Sequence, residues 1–215
     1  VHTGSRHLGE EVAEHYTKLA HTSLKAQGLE VPYYMSYLER DEKENYMEDV
    51  HTVQGYAELN RQIIVREILK GMKWKAVEQF SVAHNYLDAS GVLRKGAIAA
   101  EEGARVIIPA NMRDGMILGI GLGNEDWNCS APHGSGRRLK REEVKSRYTI
   151  WDFKKEMKGI YSSCVGADTL DEAPFAYRSI EEIAERIGDT VRITRTLKPV
   201  YNYKAGSREQ SRSKT

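Results

Sequence analysis

Cysteine is scarce in this chain: Cys129 and Cys164 are the only two in 215 residues. Two thiols so far apart build no disulfide framework, and they fit a reducing, cytoplasmic setting. Long apolar runs are missing as well. No stretch approaches the ~20 consecutive apolar residues of a membrane span, and no signal-peptide pattern is visible, so no membrane role is expected. No internal repeat is seen. Excess charge is also lacking, at +1 overall, but it is unevenly spread. Residues 39–49 carry six acids against Arg40 and Lys43, whereas residues 190–215 carry seven Lys or Arg against Glu209 alone. The basic end is weakly suggestive of a polyanion partner, since terminal charge is often solvation alone. Finally, the candidate histidines His2, His84 and His133 are not paired at the spacing of a one-element metal motif such as His-Glu-x-x-His. Any metal site must be assembled in space from distant segments.

What is present is a soluble globular composition, 40% apolar and 29% charged, long enough for one sizeable core or two small ones. Leu8, Val12, Tyr16 and Leu19 recur on one face, predicting a helix over residues 8–27 stopped at Gly28. A second, longer helix is expected from about Glu44 to Lys70, ending at Gly71, with Asn60-Arg61 as an exposed polar pair in its middle. Residues 76–87 alternate loosely and read as a strand leading into His84-Asn85. Further strands are expected over 91–97, broken at Lys95-Gly96, and at Val106–Pro109 and Met116–Ile120 around a loop. A short helix follows over 151–158. Leu170–Pro174 reads as a turn, Ser179 with Glu182 makes a capping box ahead of Ile180, and Thr190–Tyr203 reads as extended chain. Residues 207–215 are expected to be disordered. Unevenly spaced helices among short strands suggest an α+β layer, not a regular βαβ series.

Chemistry concentrates between Pro109 and Arg141. There His133 stands in Ser130-Ala131-Pro132-His133-Gly134-Ser135-Gly136-Arg137. Gly134 and Gly136 can take positive φ and admit a phosphate close to the backbone. Arg137, Arg138 and Arg141 offer planar forks for phosphate oxygens, and a neutral imidazole is a competent nucleophile. A satisfied loop histidine in a glycine-rich turn accounts for the same pattern. Likewise His2, at what reads as a strand end entering a loop, is either a ligand or part of a frayed terminus. His84-Asn85 is either a metal-and-ligand pair or a structural histidine.

Eight motifs occur in order: Val1-His2-Thr3-Gly4-Ser5-Arg6-x-Leu8-Gly9, Asn60-Arg61, Ala83-His84-Asn85, Arg94-Lys95-Gly96-Ala97, Ile108-Pro109, Ser130-Ala131-x-His133-Gly134-x-Gly136-Arg137, Glu172-Ala173-Pro174-x-Ala176-Tyr177 and a terminal Lys204. That set resembles the RtcB family of RNA-splicing ligases, the 3′-phosphate/5′-hydroxyl nucleic acid ligases. The resemblance implies RNA joining powered by GTP with manganese, two ions in the complete enzyme. In it His133 is similar to the histidine that becomes guanylylated, and His2 and His84 match metal-binding histidines. Asn85, Pro109, Ala110, Asn111, Met112, Gly134, Ser135, Gly136, Tyr177 and Lys204 match positions around the nucleotide. Arg6, Lys95, Arg137 and Arg141 match basic residues facing RNA phosphates.

It further implies a mixed-sheet α+β core flanked by helices, with residues 1–206 as the rear part of one catalytic domain. The family's Asp-x-x-Cys and Gly-Gly-Asn-His segments lie upstream of the motif at which this chain starts, so a piece of a longer, monomeric ligase is expected. Leu93, Ala110-Asn111, Met116 and Lys140 depart from the usual residues. An RNA with 3′-phosphate and 5′-hydroxyl ends is the implied partner, with an archease-like activator needed by some relatives. Two other readings are a non-catalytic RNA-binding remnant of the same fold and a metal-dependent phosphohydrolase using the same histidines.

Overall fold

The computed structural model describes residues 1–88 and 90–204; the tail expected over 207–215 lies outside them. The chain divides into two compact units, Val1–Ser81 and Val82–Thr215.

The first unit is a helical pair. Helix α1 (Arg6–Ala26) ends where Gly28 takes φ +77° and the Leu29 amide returns to the Leu24 carbonyl, the left-handed cap anticipated from Gly28. Helix α2 (Arg40–Met72) is longer than its pattern implied. Asp41 and Glu42 in its first turn and Lys70 in its last complement the helix dipole. Gly71 does not end it; Lys73 does, in the left-handed conformation. Near the start of α1, Gly9 leaves room for Val53, while further along Tyr16 donates to Asp49 at 2.8 Å and stacks at a tilt on Tyr46. Rising numbers on α1 meet falling numbers on α2, so the helices run antiparallel. Arg61 is not an exposed pair member: its guanidinium bonds the Thr3 carbonyl, Ser81 Oγ and Glu58. It thereby ties both ends of this unit to mid-α2.

The second unit holds the strands. Pairs β1 (Tyr86–Leu87) with β2 (Leu93–Arg94), and β3 (Ala97–Ala99) with β6 (Ser130–Pro132), are antiparallel. A three-stranded antiparallel sheet runs β4 (Arg105–Pro109), β5 (Met116–Gly121), β8 (Val191–Leu197). Strand β7 (Tyr161–Ser162) pairs in parallel with β9 (Tyr201–Asn202). The helices are α3 (Arg141–Arg147), α4 (Ile150–Glu156) and α5 (Ile180–Ala184), the last opened by the anticipated Ser179–Glu182 box. The α+β class is as expected, with the strands among the described residues in four small sheets.

Two apolar clusters hold this unit. In one, alternate residues Val106, Ile108 and Ile117 of the sheet meet Ile180, Ile183 and Ile187, with Ile98 and Ala131 beside them. In the other, Met112 packs with Val144, Phe153, Met157, Leu170, Ala173 and Ala176. Two local expectations differ from what is observed, and one helix, α3, has no counterpart in the sequence reading. Residues 76–85 form no strand, and only Tyr86–Leu87 pairs. Val77 is fully exposed; a strand exists only against a partner's ladder, which loose alternation does not supply. Residues 1–5 precede α1 without a strand. Helix α3 shows no apolar stripe, since Val144 is its only buried residue, and it is closed instead by Glu143 accepting from the Lys140 amide at 2.8 Å.

Candidate functional site

His133 is placed by strand pairing. Ser130–Pro132 pair with Ala97–Ala99, and the His133 amide then reaches the Gly96 carbonyl at 3.3 Å. Gly96 takes φ +71°, and a side chain there would come up against the His133 ring. Asn85, itself at φ +54°, accepts from the Gly96 amide at 2.7 Å and so fixes this turn. The rings of His84 and His133 lie 4.8 Å apart, tilted by 36°. Partial burial, and then the neighbouring His84, push the His133 pKa down from its ordinary value. At neutral pH its ring therefore keeps the lone pair a nucleophile needs.

Beyond His133 the turn is clamped on both sides. Ser135 is buried; its amide bonds the Pro109 carbonyl at 3.1 Å and its hydroxyl donates to the Ala110 carbonyl at 2.7 Å. Gly134 faces the Pro109 carbonyl so closely that a Cβ would sit 3.2 Å from it. On the other side Gly136 takes φ +67° and accepts from the Arg178 amide, and Arg137 pairs with Tyr177. The segments Pro109–Met112 and Gly134–Gly136, far apart in sequence, are thus in contact. Asn111 caps its own turn, accepting from the Arg113 and Asp114 amides, while Met112 is buried and its carbonyl accepts from Asn202 at 2.6 Å.

Two residues beyond Asn202, Lys204 reaches Glu172 at 3.2 Å, and Glu172 also accepts from the Tyr177 hydroxyl at 2.6 Å. Contacts therefore run in succession from Asn85 to Gly96 and His133, from Ser135 to Ala110, from Met112 to Asn202 ahead of Lys204, and through Glu172 from Lys204 to Tyr177 and Arg137. Burial, reinforced by the bond to Glu172, pushes the Tyr177 phenol up to about 12. Burial opposes ionisation of Glu172, but the bonds from Tyr177 and Lys204 outweigh it and hold the carboxyl below the usual range.

The basic residues divide. Lys95 is exposed on the turn before Gly96. Arg137 is turned inward, donating to the Leu139 and Asp171 carbonyls and to Tyr177, with its guanidinium 4.9 Å over that ring. Arg141 pairs with Asp171 and Glu172 while its side chain stays 61% exposed, so it is the more open of the two, against 24% for Arg137. His2 and Arg6 are exposed and belong to the first unit.

As for a metal, His84 and His133 offer two imidazole nitrogens, but no set of three or more His, Cys, Asp or Glu is gathered among the described residues. That donor set does not by itself make a manganese site. Cys129 and Cys164 are free thiols, and Cys164 lies beside β9 rather than near the histidines.

Two residues have parts in the structure that their motifs do not announce. One is Glu172, the shared acceptor. The other is Arg94, which is 4% exposed and bonds Asp88, Ser130 Oγ and the Asn128 carbonyl. A signal for it exists in Asp88-Ala89-Ser90-Gly91, an Asx-turn sequence that aims a carboxylate back at its own loop.

Fold and site together define an α+β protein that presents a histidine on a clamped glycine turn, with a cluster of cations gathered on Glu172. Comparison with known proteins names the group: a family model described as tRNA-splicing ligase RtcB matches residues 1–205, and the chain belongs to the RtcB family. It is 28% identical to the RNA-splicing ligase RtcB of Escherichia coli (strain K12), over 93% of this chain and 54% of that protein. The tRNA-splicing ligase RtcB of Nanoarchaeum equitans (strain Kin4-M) is 30% identical, over 92% of this chain and 48% of that protein. That of Aeropyrum pernix is 27% identical, over 86% and 47% respectively. The chain spans about half the length of the curated relatives it matches. No helix among the described residues is long and apolar enough to cross a membrane.

Proposed function

We propose that this chain carries the nucleotide-accepting half of an RNA ligase that joins an RNA 3′-phosphate, or a 2′,3′-cyclic phosphate after opening, to a 5′-hydroxyl. A ring nitrogen of His133 attacks the α-phosphorus of GTP; the bond to pyrophosphate breaks and a histidine–GMP phosphoramidate forms. The RNA 3′-phosphate then takes the guanylate, freeing His133. The 5′-hydroxyl attacks the activated phosphate, loses its proton, and GMP departs. The observation that carries this reading is the placement of His133: held by the β3–β6 pairing and the Gly96 turn, depressed in pKa, and followed by a glycine turn clamped by Pro109 and Ala110.

In this reading the Gly134-Ser135-Gly136 turn and the backbone of residues 109–112 cradle the nucleotide. Tyr177 and Lys204 stand at its far side, and Asn85 holds the turn against which His133 rests. The family match would give His2 and His84 as residues to hold manganese, which when bound would neutralise charge on the phosphate oxygens. Arg6, Lys95 and Arg141 face the RNA backbone, where contacts are salt-dependent and blind to sequence. We place residues 1–206 in one catalytic domain of a monomeric cytoplasmic enzyme, served in some settings by an archease-like activator.

The test is incubation with α-labelled GTP and manganese, of this chain and of a version lengthened at its N-terminal side, with mass spectrometry of the His133 peptide. GMP on His133 in either supports the ligase. RNA binding without any adduct in both overturns it in favour of an RNA-binding remnant. Phosphate release without adduct points to hydrolysis and overturns it too.

A further inference from the structure

We propose that Glu172 is a positioning residue of the nucleotide site, holding the Tyr177 hydroxyl and the Lys204 ammonium in one fixed frame under a partly open cationic rim. The inference rests on the reading of Tyr177 and Lys204 as nucleotide residues. Three separate segments converge on this single carboxylate. Its Oε2 accepts from Tyr177 at 2.6 Å and from Lys204 at 3.2 Å. Its Oε1 faces Arg141 at 3.1 Å and Arg137 at 3.5 Å. Glu172 is itself anchored at the end of a 3-10 turn (Ala167–Glu172), with fully buried Ala173 and Pro174 directly after it.

Exposure separates anchor from rim. The Glu172 side chain is 17% exposed, whereas those of Lys204 and Arg141 are 42% and 61% exposed. A carboxylate whose purpose was pairing alone would need neither two cations reaching outward nor a phenol on the same oxygen. Charge does not close either: Glu172 and Asp171 face Arg137, Arg141 and Lys204, leaving one positive charge in excess. The frame is thus preformed and attracts an anion.

This makes a discriminating test possible, because position and charge predict opposite signs. In Glu172→Gln the cluster gains positive charge, so a site that works through net charge binds GTP more tightly. A site that works through geometry binds it more weakly, because the amide keeps one acceptor oxygen where the carboxylate has two, so its NH2 must face either Tyr177 and Lys204 or the two arginines, and the four groups lose their common frame. Equilibrium binding of GTP to the full chain with manganese is expected to weaken about tenfold in Glu172→Gln, while inorganic triphosphate, which lacks the base, holds or tightens. Glu172→Asp, which keeps the charge but shortens the reach, is expected to bind GTP between the two. If Glu172→Gln does not fold by circular dichroism, Tyr177→Phe leaves the carboxylate and ring in place and is expected to weaken GTP by a smaller factor. GTP binding unchanged or tighter in the folded variants overturns the proposal, as does absence of GTP binding by the unaltered chain. Labelling of His133 on the same samples separates the two readings. Binding without adduct removes the ligase chemistry and leaves Glu172 standing; adduct formation with the same GTP dependence in Glu172→Gln removes Glu172 alone.

Discussion

Arg94 and Glu172 make the same point with opposite charges: one largely enclosed ion can organise several segments at once. Arg94 crosses from β2 to Ser130 and the Asn128 carbonyl, at the start of the strand that delivers His133. Asp88, its partner, is held well below the usual carboxylate range by Ser90, the Val92 amide and Arg94. Removing one member leaves the other ionised in a partly dry place, the costly way to break a pair. Arg94→Ala is expected to lower the thermal midpoint of unfolding by several degrees and to slow guanylylation of His133. Arg94→Lys, which cannot fork between two acceptors, is expected to fall between. A variant with unchanged melting and unchanged adduct rate would show that Arg94 organises nothing. At this scale the sequence was legible for types rather than roles. His133 between small residues stood out, but Arg94 looked like one more basic residue in an Arg-Lys-Gly motif, because burial depends on what folds over it.

Among elements, the β4–β5 hairpin feeds the site directly, since its Pro109 end meets the Gly134-Ser135 turn. The hairpin closes through Gly115, at φ +87°, where a Cβ would sit 1.9 Å from the Leu197 carbonyl oxygen. Gly115→Ala is therefore expected to destabilise by more than the roughly 1 kcal/mol of a simple glycine effect, read from denaturant unfolding. A midpoint equal to the unaltered chain would mean that β8 yields freely there. Helix α4 offers a second case. Phe153 is completely buried and fills the cluster around Met112 and Ala176, and Phe153→Ala is expected to cost about 3–5 kcal/mol. Loss of Met112 packing should then weaken GTP binding as well; a destabilised protein with unaltered affinity would separate the core from the nucleotide cradle.

For the molecule as a whole, the carboxylates set the acid limit. Asp88, Asp114, Asp152, Glu58, Glu172 and Glu182 are each held below their ordinary values of 3.8 for Asp and 4.5 for Glu. A depressed folded value means that the unfolded chain takes up protons first as pH falls. Their contribution is therefore full above about 4.5 and is lost progressively below it. Urea midpoints are expected to be flat between pH 6 and 8 and to fall steeply between pH 4.5 and 3. A midpoint independent of pH across that lower range would mean that these ion pairs contribute nothing.

What the sequence determined by itself is what hydrogen-bonds within itself or is carried by order alone. Helices α1 and α2, the Gly28 stop, the Ser179–Glu182 box, the strands on either side of the loop at residues 110–115 and the family were all readable, because each depends on residues a few positions apart or on motifs in fixed succession. Tertiary structure decided the rest. It denied residues 76–85 a strand for want of a paired ladder, closed α3 without an apolar stripe, and turned Arg61 and Arg137 inward. It also chose which cations share Glu172. The physical reason is common to all of these: strand pairing, burial and ion-pair partners are properties of two segments at once, and no stretch of sequence holds its own partner.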